Sequence, residues 1–541
     1  MPLDKRWLLL TNFLLVVVLL VTACGTPVPA APPEEEATTA PAATTAPAAT
    51  TAPAPTAAPS EPKIIRIATA QACPAISLEV AGGMGPCDIQ VAQMYEGLTW
   101  HAHDGSVMPS LATSWEMIDD TTWQFKLRQG VKFHNGEDFT ADAVKYSFDI
   151  ALDEERAWPI RGNIVLIDEV EVVDDYTVNF HTSAPWPDLP WFVSTVYIMP
   201  PKYTEEVGLD GLTEAPVGTG PFEFVDFVAD DYLQLKAYDD WWGGRVALDG
   251  VLWKQIPEPA TRVAALQAGE VDIAVQVPLD LIPVVEDEPG IHMEYAAEEL
   301  TLQFFLSCLP ESGSVLAGNP TLRKALDYAI DKEALWQGLM GGRGALSGQQ
   351  LSPTVFGYNP NIEQTPYDPE EAKRLLAEAG YPDGLTLSMA CPVGKYFVDR
   401  DVCIAAKDML ADVGVNVDLT VAELAVFVEY LTNPISDVDM IYVGWYSYGN
   451  PAQAMQWFSS TQAWSRWHNE EYDQQFLIAK TSMDEETRKQ AYWRMAEILK
   501  DETPSIFLLQ QPAPYGISDR VQGFVPHPAQ RIILTETDLV E

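Results

Sequence analysis

The reactive side chains of this sequence do not fall into catalytic spacings. Its only Ser-x-x-Lys is Ser60 to Lys63, with Pro62 inside it. Neither a G-x-S-x-G elbow nor a phosphate-cradling G-x-x-x-x-G-K-[ST] loop occurs. His101 and His103 flank one residue on a polar loop and read as solvated rather than ligating. No C-x-x-C or H-E-x-x-H spacing points to zinc, so neither metal nor cofactor is expected. With 78 Asp and Glu residues, carboxylate pairs are too frequent to single out a glycosidase dyad. What remains is chemistry that binds. Residues 444–451 read GWYSYGNP, with Trp445, Tyr446 and Tyr448 set between Gly444 and Gly449. Aromatic rings beside glycine at the end of a strand suit a cleft wall where a ligand meets backbone. Residues 457–467 (WFSSTQAWSRW) add three tryptophans and Arg466. That guanidinium either faces a ligand carboxylate or pairs with one of many surface acids. Lys395 and Arg400, between two cysteines, are weaker candidates of the same kind.

The elements that position these residues have clear local signals. Residues 63–70 (KIIRIATA) read as an opening strand, and TTWQFKL (121–127) alternates as a half-buried one. Thr140 is placed to cap a helix carrying Val144, Phe148 and Leu152 on one face. Residues 170–173 and 176–180 flank Asp174-Asp175 as a hairpin. A helix over 258–268 ends at Gly269 and leads to a strand at 271–275. Asn319 followed by Pro320, and Asp368 followed by Pro369 and Glu371, mark two further helix starts. A helix at 401–410, the strand VNVDLTV and the apolar strand 440–447 complete an alternation that predicts an α/β fold.

Length and charge bound the rest. A chain of 541 residues exceeds one ordinary core, so two or more lobes are expected. The formal net charge of -46 argues against nucleic acid and against adhesion of the folded surface to anionic lipid. Residues 1–24 form a targeting segment: Lys5 and Arg6, an apolar run over 8–21, then VTAC ending at Cys24. The run is short for a stable membrane span. Residues 25–62, rich in Ala, Thr and Pro, cannot build a core and read as a disordered tether. Five cysteines follow Cys24. Export permits the neighbouring pairs Cys73–Cys87 and Cys391–Cys403 to bridge, the second contributing roughly 3 kcal/mol in a chain-entropy account. Cys308 is left over in an apolar run, and the odd count leaves connectivity open.

One long stretch carries a family resemblance. Residues 95–153 run YEGLTWHAHDGSVMPSLATSW and then FKLRQGVKFHNGEDFTADAVKYS. This resembles the signature of family 5 extracytoplasmic solute-binding proteins, the oligopeptide, dipeptide and nickel receptors of ABC importers. VGTGPFEF (217–224), LQAGEVDI (266–273) and YDPEEAKRLLAEAGYPDG (367–384) extend it over most of the chain after residue 62. The resemblance implies a two-lobed, periplasmic-binding-protein-like α/β fold of the large family 5 type. Lobe I is expected over 63–298 plus 508–541, with an extra subdomain at about 96–215, and lobe II over 299–507. VTAC resembles a lipobox, which implies cleavage before Cys24, a lipid on its thiol, and an extracytoplasmic body held at the cell membrane.

The same resemblance implies a monomeric receptor, not an enzyme, that captures a solute between its lobes. It would pass that solute to permease and ATPase subunits encoded elsewhere. The loop opening at Gln71 resembles the family's cleft-lining segment. Gly444, Trp445, Tyr446, Ser447, Tyr448, Arg466 and Trp467 are the other expected ligand contacts. On that basis Trp445→Ala is expected to weaken binding more than tenfold while sparing the fold. The carboxylate that holds a peptide's amino group in peptide-binding members is absent: Ser447 or Tyr448 stands there, and Asn450 replaces a second acid. A peptide is the first expectation for the ligand. An oligosaccharide is the alternative, because sixteen tryptophans suit sugar stacking. A secreted hydrolase is the reading from a different class.

Overall fold

The structure, a computed structural model, describes residues 61–70, 73–81, 87–156 and 158–540. The targeting segment, Cys24, nearly all of the tether and Gln71 lie outside the described residues.

One mixed sheet organises the molecule. Its order is Val415–Ala422, Leu385–Pro392, Met440–Tyr446, Ile291–Leu306, Ser505–Ser518, Ile273–Val275, Ile64–Thr69, Gly250–Gln255, Tyr232–Ala237 and Phe222–Val228. The two central strands, Ile291–Leu306 and Ser505–Ser518, are antiparallel and long enough to serve both lobes. Their register shifts between Ala297/Thr301 and again between Leu302/Gln303. Pro512 and Pro514 sit opposite Ala297 and Tyr295, so two ladder donors are missing beside the first register shift.

Separate cores form on the two sides. One is built from residues between Leu300 and Leu509, around fully buried Phe304, Ile441 and Leu326. A second lies between Leu98 and Leu212. There the helix Ala141–Leu152 buries Val144 and Phe148 against a four-stranded sheet. Phe148 and Phe125 each meet Phe180 edge-on, at 4.8 and 5.2 Å between centroids. Such pairs add roughly 0.5–1.5 kcal/mol each beyond their buried area. Two smaller clusters flank the opening strand Ile64–Thr69.

Local signals translate into structure with a few differences. Asn319 and Asp368 cap their helices through Leu322 N and Glu371 N. Glu371 does not close a capping box; its carboxylate takes Arg374 instead. Thr140 stands at a helix start but makes no side-chain cap bond. His101 is on the strand Thr99–His101, buried and stacked on Trp191 at 4.7 Å, not solvated. The glycines of VGTGPF are steric: a Cβ on Gly218 would lie 2.1 Å from Met94 O, and one on Gly220 2.6 Å from Gln93 O. His134 docks on that segment, its N–H donating to Gly218 O at 2.9 Å.

Candidate functional site

The strand Met440–Tyr446 pairs with the first central strand, Leu300 opposite Tyr446 and Leu302 opposite Gly444. Alternation along the strand then separates its aromatic residues. Trp445 turns inward, 8% exposed, and stacks on Trp457 at 3.9 Å, which in turn stacks on Trp464 at 5.5 Å. Tyr446 turns outward and stacks on Tyr448 at 4.9 Å. Tyr448 adopts a left-handed φ of 50°, rare for a bulky residue, which places its ring beside that of Tyr446. Below them, Ser447 Oγ donates to the Glu299 carboxylate at 2.6 Å, and Gly449 N donates to the same oxygen. Burial raises the pKa of Glu299, and these two bonds oppose the rise.

Tyr446 and Tyr448 face a cavity of about 470 Å³. Lys395 and Tyr396 line it on their side, and Asp88, Gln276 and Arg531 line it on the other. The cations are the informative groups. Among the described residues, Lys395 Nζ has no hydrogen bond or ion pair, only the faces of Tyr396 at 5.3 Å and Phe427 at 5.9 Å. Burial lowers its pKa. Arg531 likewise has no hydrogen-bonded or ion-paired partner there, although it is close enough to Asp88 and Glu299 to hold down the rise in their pKa values. Asp88 accepts a hydrogen bond from Tyr197 Oη, and burial is the main cause of its raised pKa. Two cations without partners in a half-enclosed space suit an anionic group on a ligand.

The two sides also touch directly. Arg488, on the helix Glu485–Glu502, forms an ion pair with Asp188, which precedes the short helix Leu189–Phe192. Both side chains are nearly buried, at 13% and 10% exposure.

The profile described as "Bacterial extracellular solute-binding proteins, family 5 Middle" matches residues 106–466. The chain belongs to that family. Family 5 membership makes it an extracellular solute-binding receptor of an ABC importer and not an enzyme. The glutathione-binding protein GsiB of Pectobacterium atrosepticum is 28% identical over 477 residues, which is 83% of this chain and 88% of that one. HbpA2 of Haemophilus parasuis superposes with a TM-score of 0.77 at 25% identity, over 88% of this chain and all of that one. The substrate-binding protein CtaP of Listeria monocytogenes gives a TM-score of 0.81 at 22% identity, over 89% of this chain and all of that one. The two-lobed family 5 fold is therefore the fold of this chain.

The expected contacts divide against this geometry. Tyr446 and Tyr448 line the cavity; Gly444, Trp445, Ser447, Arg466 and Trp467 do not. A Cβ on Gly444 would lie 2.7 Å from the Leu300 side chain, so Gly444 serves packing. Ser447 is a bond to Glu299. Arg466 is fully buried beside the core that also holds Trp445 and does not face the cavity. Its Nη1 donates to Ser307 Oγ at 2.6 Å, and its Nη2 to Asn433 O and Ser436 Oγ at 3.1 Å and to Tyr430 O. Burial pushes its pKa down to about 10. Trp467 is 4% exposed and packs edge-on against Tyr472.

Cys73 is bonded to Cys87 and Cys391 to Cys403, while Cys308 is a buried free thiol pushed up to about 12 by burial. The second bridge ties down the loop that carries Lys395 and Tyr396. Sequence reasoning undervalued Lys395 and missed Tyr396, Asp88 and Arg531. Arg531 lies in a C-terminal segment without a motif, so only its place opposite Lys395 reveals it.

Proposed function

We propose that this receptor closes its two lobes on a peptide-like solute bearing a carboxylate and delivers it to an ABC permease. The observation that carries this reading is the cavity between Tyr446/Tyr448 and Arg531, with neither Lys395 nor Arg531 hydrogen-bonded or ion-paired through its side chain among the described residues. A ligand carboxylate would accept hydrogen bonds from both cations. The relative named as glutathione-binding matches over most of both chains, and glutathione is itself an acidic tripeptide. An oligosaccharide is less favoured, because no tryptophan lines the cavity among the described residues; Trp445, Trp457 and Trp464 stack on one another instead.

Lobe I is taken as 63–298 plus 508–541, with an extra subdomain at about 96–215, and lobe II as 299–507. Closure then occurs about the register shifts and prolines of the two central strands. Lipid attachment at Cys24 holds a monomeric receptor at the membrane. Cys24→Ser is expected to move the chain from the membrane fraction to the soluble one.

A thermal-shift screen of the full chain tests the ligand reading, with glutathione, other short peptides, neutral oligosaccharides, opines and nickel. A ligand at a hundred times its dissociation constant adds about 2.7 kcal/mol of stability. Stabilisation by acidic peptides is the expected result. Stabilisation by neutral sugars alone would replace the peptide reading.

A further inference from the structure

A second cavity of about 300 Å³ lies beside the cleft, and the two share Asp88, Ile89 and Arg531 in their walls. Its remaining surface is mainly aromatic and aliphatic, with Tyr95, Trp100, Trp241, Ile532 and Leu534 contributing. Polar side chains also reach it; those of Gln93, Glu96, Thr99, Ser194 and Asp88 are already bonded, whereas Ser110, Thr535 and Arg531 make no side-chain bond among the described residues. Gln93 donates to Ile89 O at 3.0 Å and to Ile532 O at 2.8 Å. The Glu96 carboxylate accepts from Trp242 Nε1 and Thr219 Oγ1, both at 2.8 Å. Thr99 and Ser194 donate to backbone carbonyls at 2.7 Å. Asp88 holds the Tyr197 hydroxyl.

We propose that this cavity receives an aromatic or bulky aliphatic group of the solute whose polar part occupies the cleft. An apolar guest leaves every one of these bonded groups satisfied. The Asp88 and Glu96 carboxylates could each accept a further bond, so the case for an apolar guest rests on the aromatic and aliphatic residues that make up most of the wall. The volume is suitable: an apolar cavity of about 150 Å³ holds benzene, and this one is larger. Arg531 stands at the junction of the two spaces with no hydrogen-bonded or ion-paired partner among the described residues, so a carboxylate near the apolar group would meet it there. The solute class is then an acidic, peptide-like compound with one bulky apolar side group. This inference rests on the peptide reading and narrows it.

The experiment is calorimetric titration of the full chain with Ala-Xaa-Ala tripeptides, Xaa being Gly, Leu, Phe or Trp. Ala92, half-buried on the cavity wall, is replaced in Ala92→Phe, and Ile533, on the opposite wall, in Ile533→Trp. Wild type is expected to favour the Phe or Trp peptide over the Gly peptide by about tenfold. Either filled variant should erase that preference and leave the Gly peptide within about twofold. Equal affinity for all four peptides, or an equal loss for all four in the variants, would overturn the proposal. A second arm separates it from the peptide reading: toluene is expected to raise the melting temperature of wild type but not of Ala92→Phe. If no peptide binds, the peptide reading fails while toluene still decides the cavity. No response to toluene in wild type overturns the cavity.

Discussion

Two regions of this receptor combine aromatic rings with a cation, and they do opposite things. Beneath the strand Met440–Tyr446, Trp445 and the nearby Arg466 are buried, and the half-buried Trp457 and Trp464 stack on from Trp445. Across the cleft, Lys395 and Arg531 accompany Tyr396, Tyr446 and Tyr448 around open space. Residue type does not distinguish the regions. Bonding within the chain does: both Nη groups of the interior guanidinium donate to carbonyls and hydroxyls, whereas the cleft cations make no such bond among the described residues. A buried cation held through its terminal nitrogens, as Arg466 is although its Nε has no partner among the described residues, stabilises a fold, and one left facing a cavity awaits a ligand.

The contrast can be broken most directly at Trp445. Trp445→Ala empties a stacked interior position and is expected to cost about 3–5 kcal/mol of stability, read by urea denaturation. A variant that melts like wild type but binds its solute more than tenfold worse would return Trp445 to the site. Arg466→Met should cost about 3 kcal/mol, because several buried carbonyls lose their donor. Any fraction that folds should keep wild-type affinity in calorimetry.

The cleft side predicts the reverse. Arg531→Met is expected to lower the melting temperature only modestly, through the lost attraction to Asp88 and Glu299, and to weaken binding of an acidic peptide about tenfold. An unchanged dissociation constant would remove Arg531 from the site. The Asp188–Arg488 pair spans the two sides, so Arg488→Ala should speed solute release on the order of fivefold in stopped-flow measurements. Unaltered release would mean that the pair does not hold the closed form.

The smallest effect concerns Glu96 and pH. Its pKa is raised from 4.5 to about 7, chiefly by burial, with the bonds from Trp242 and Thr219 opposing. Folding therefore takes up a proton at this site between those values. Its contribution to stability is present at low pH and is lost as pH rises through about 7. Denaturation series at pH 5 and pH 7 should show a shallower loss in Glu96→Gln than in wild type. Identical pH slopes would show that Glu96 titrates alike in both states.

Much of the fold was legible in the sequence because its determinants are local. Helix starts at Asn319 and Asp368, the alternation of 121–127 and the stop at Gly269 depend on neighbours a few residues away. The stretch 95–153 carried the family. The site was legible only in part. The strand ending in Tyr446 pointed to the right place, but alternation alone does not say which of Trp445 and Tyr446 faces solvent. That choice belongs to the tertiary structure, since it follows from which side of the sheet the lobe II core covers.

The same holds for the charges. From sequence, Arg466 reads equally as a ligand contact, by family resemblance, or as the partner of a surface acid, yet the turn that carries it folds under the sheet toward Ser307 and Asn433. Arg531 stood in no pattern and became visible only when the C-terminal segment crossed the mouth of the cleft opposite Lys395. Sequence by itself determined the elements, the two-lobed family and the absence of a catalytic spacing, all of which depend on short-range order or on family signature. Tertiary structure alone decided which cations remain unpaired and which cavities lie side by side, because both depend on residues brought together from more than a hundred positions apart.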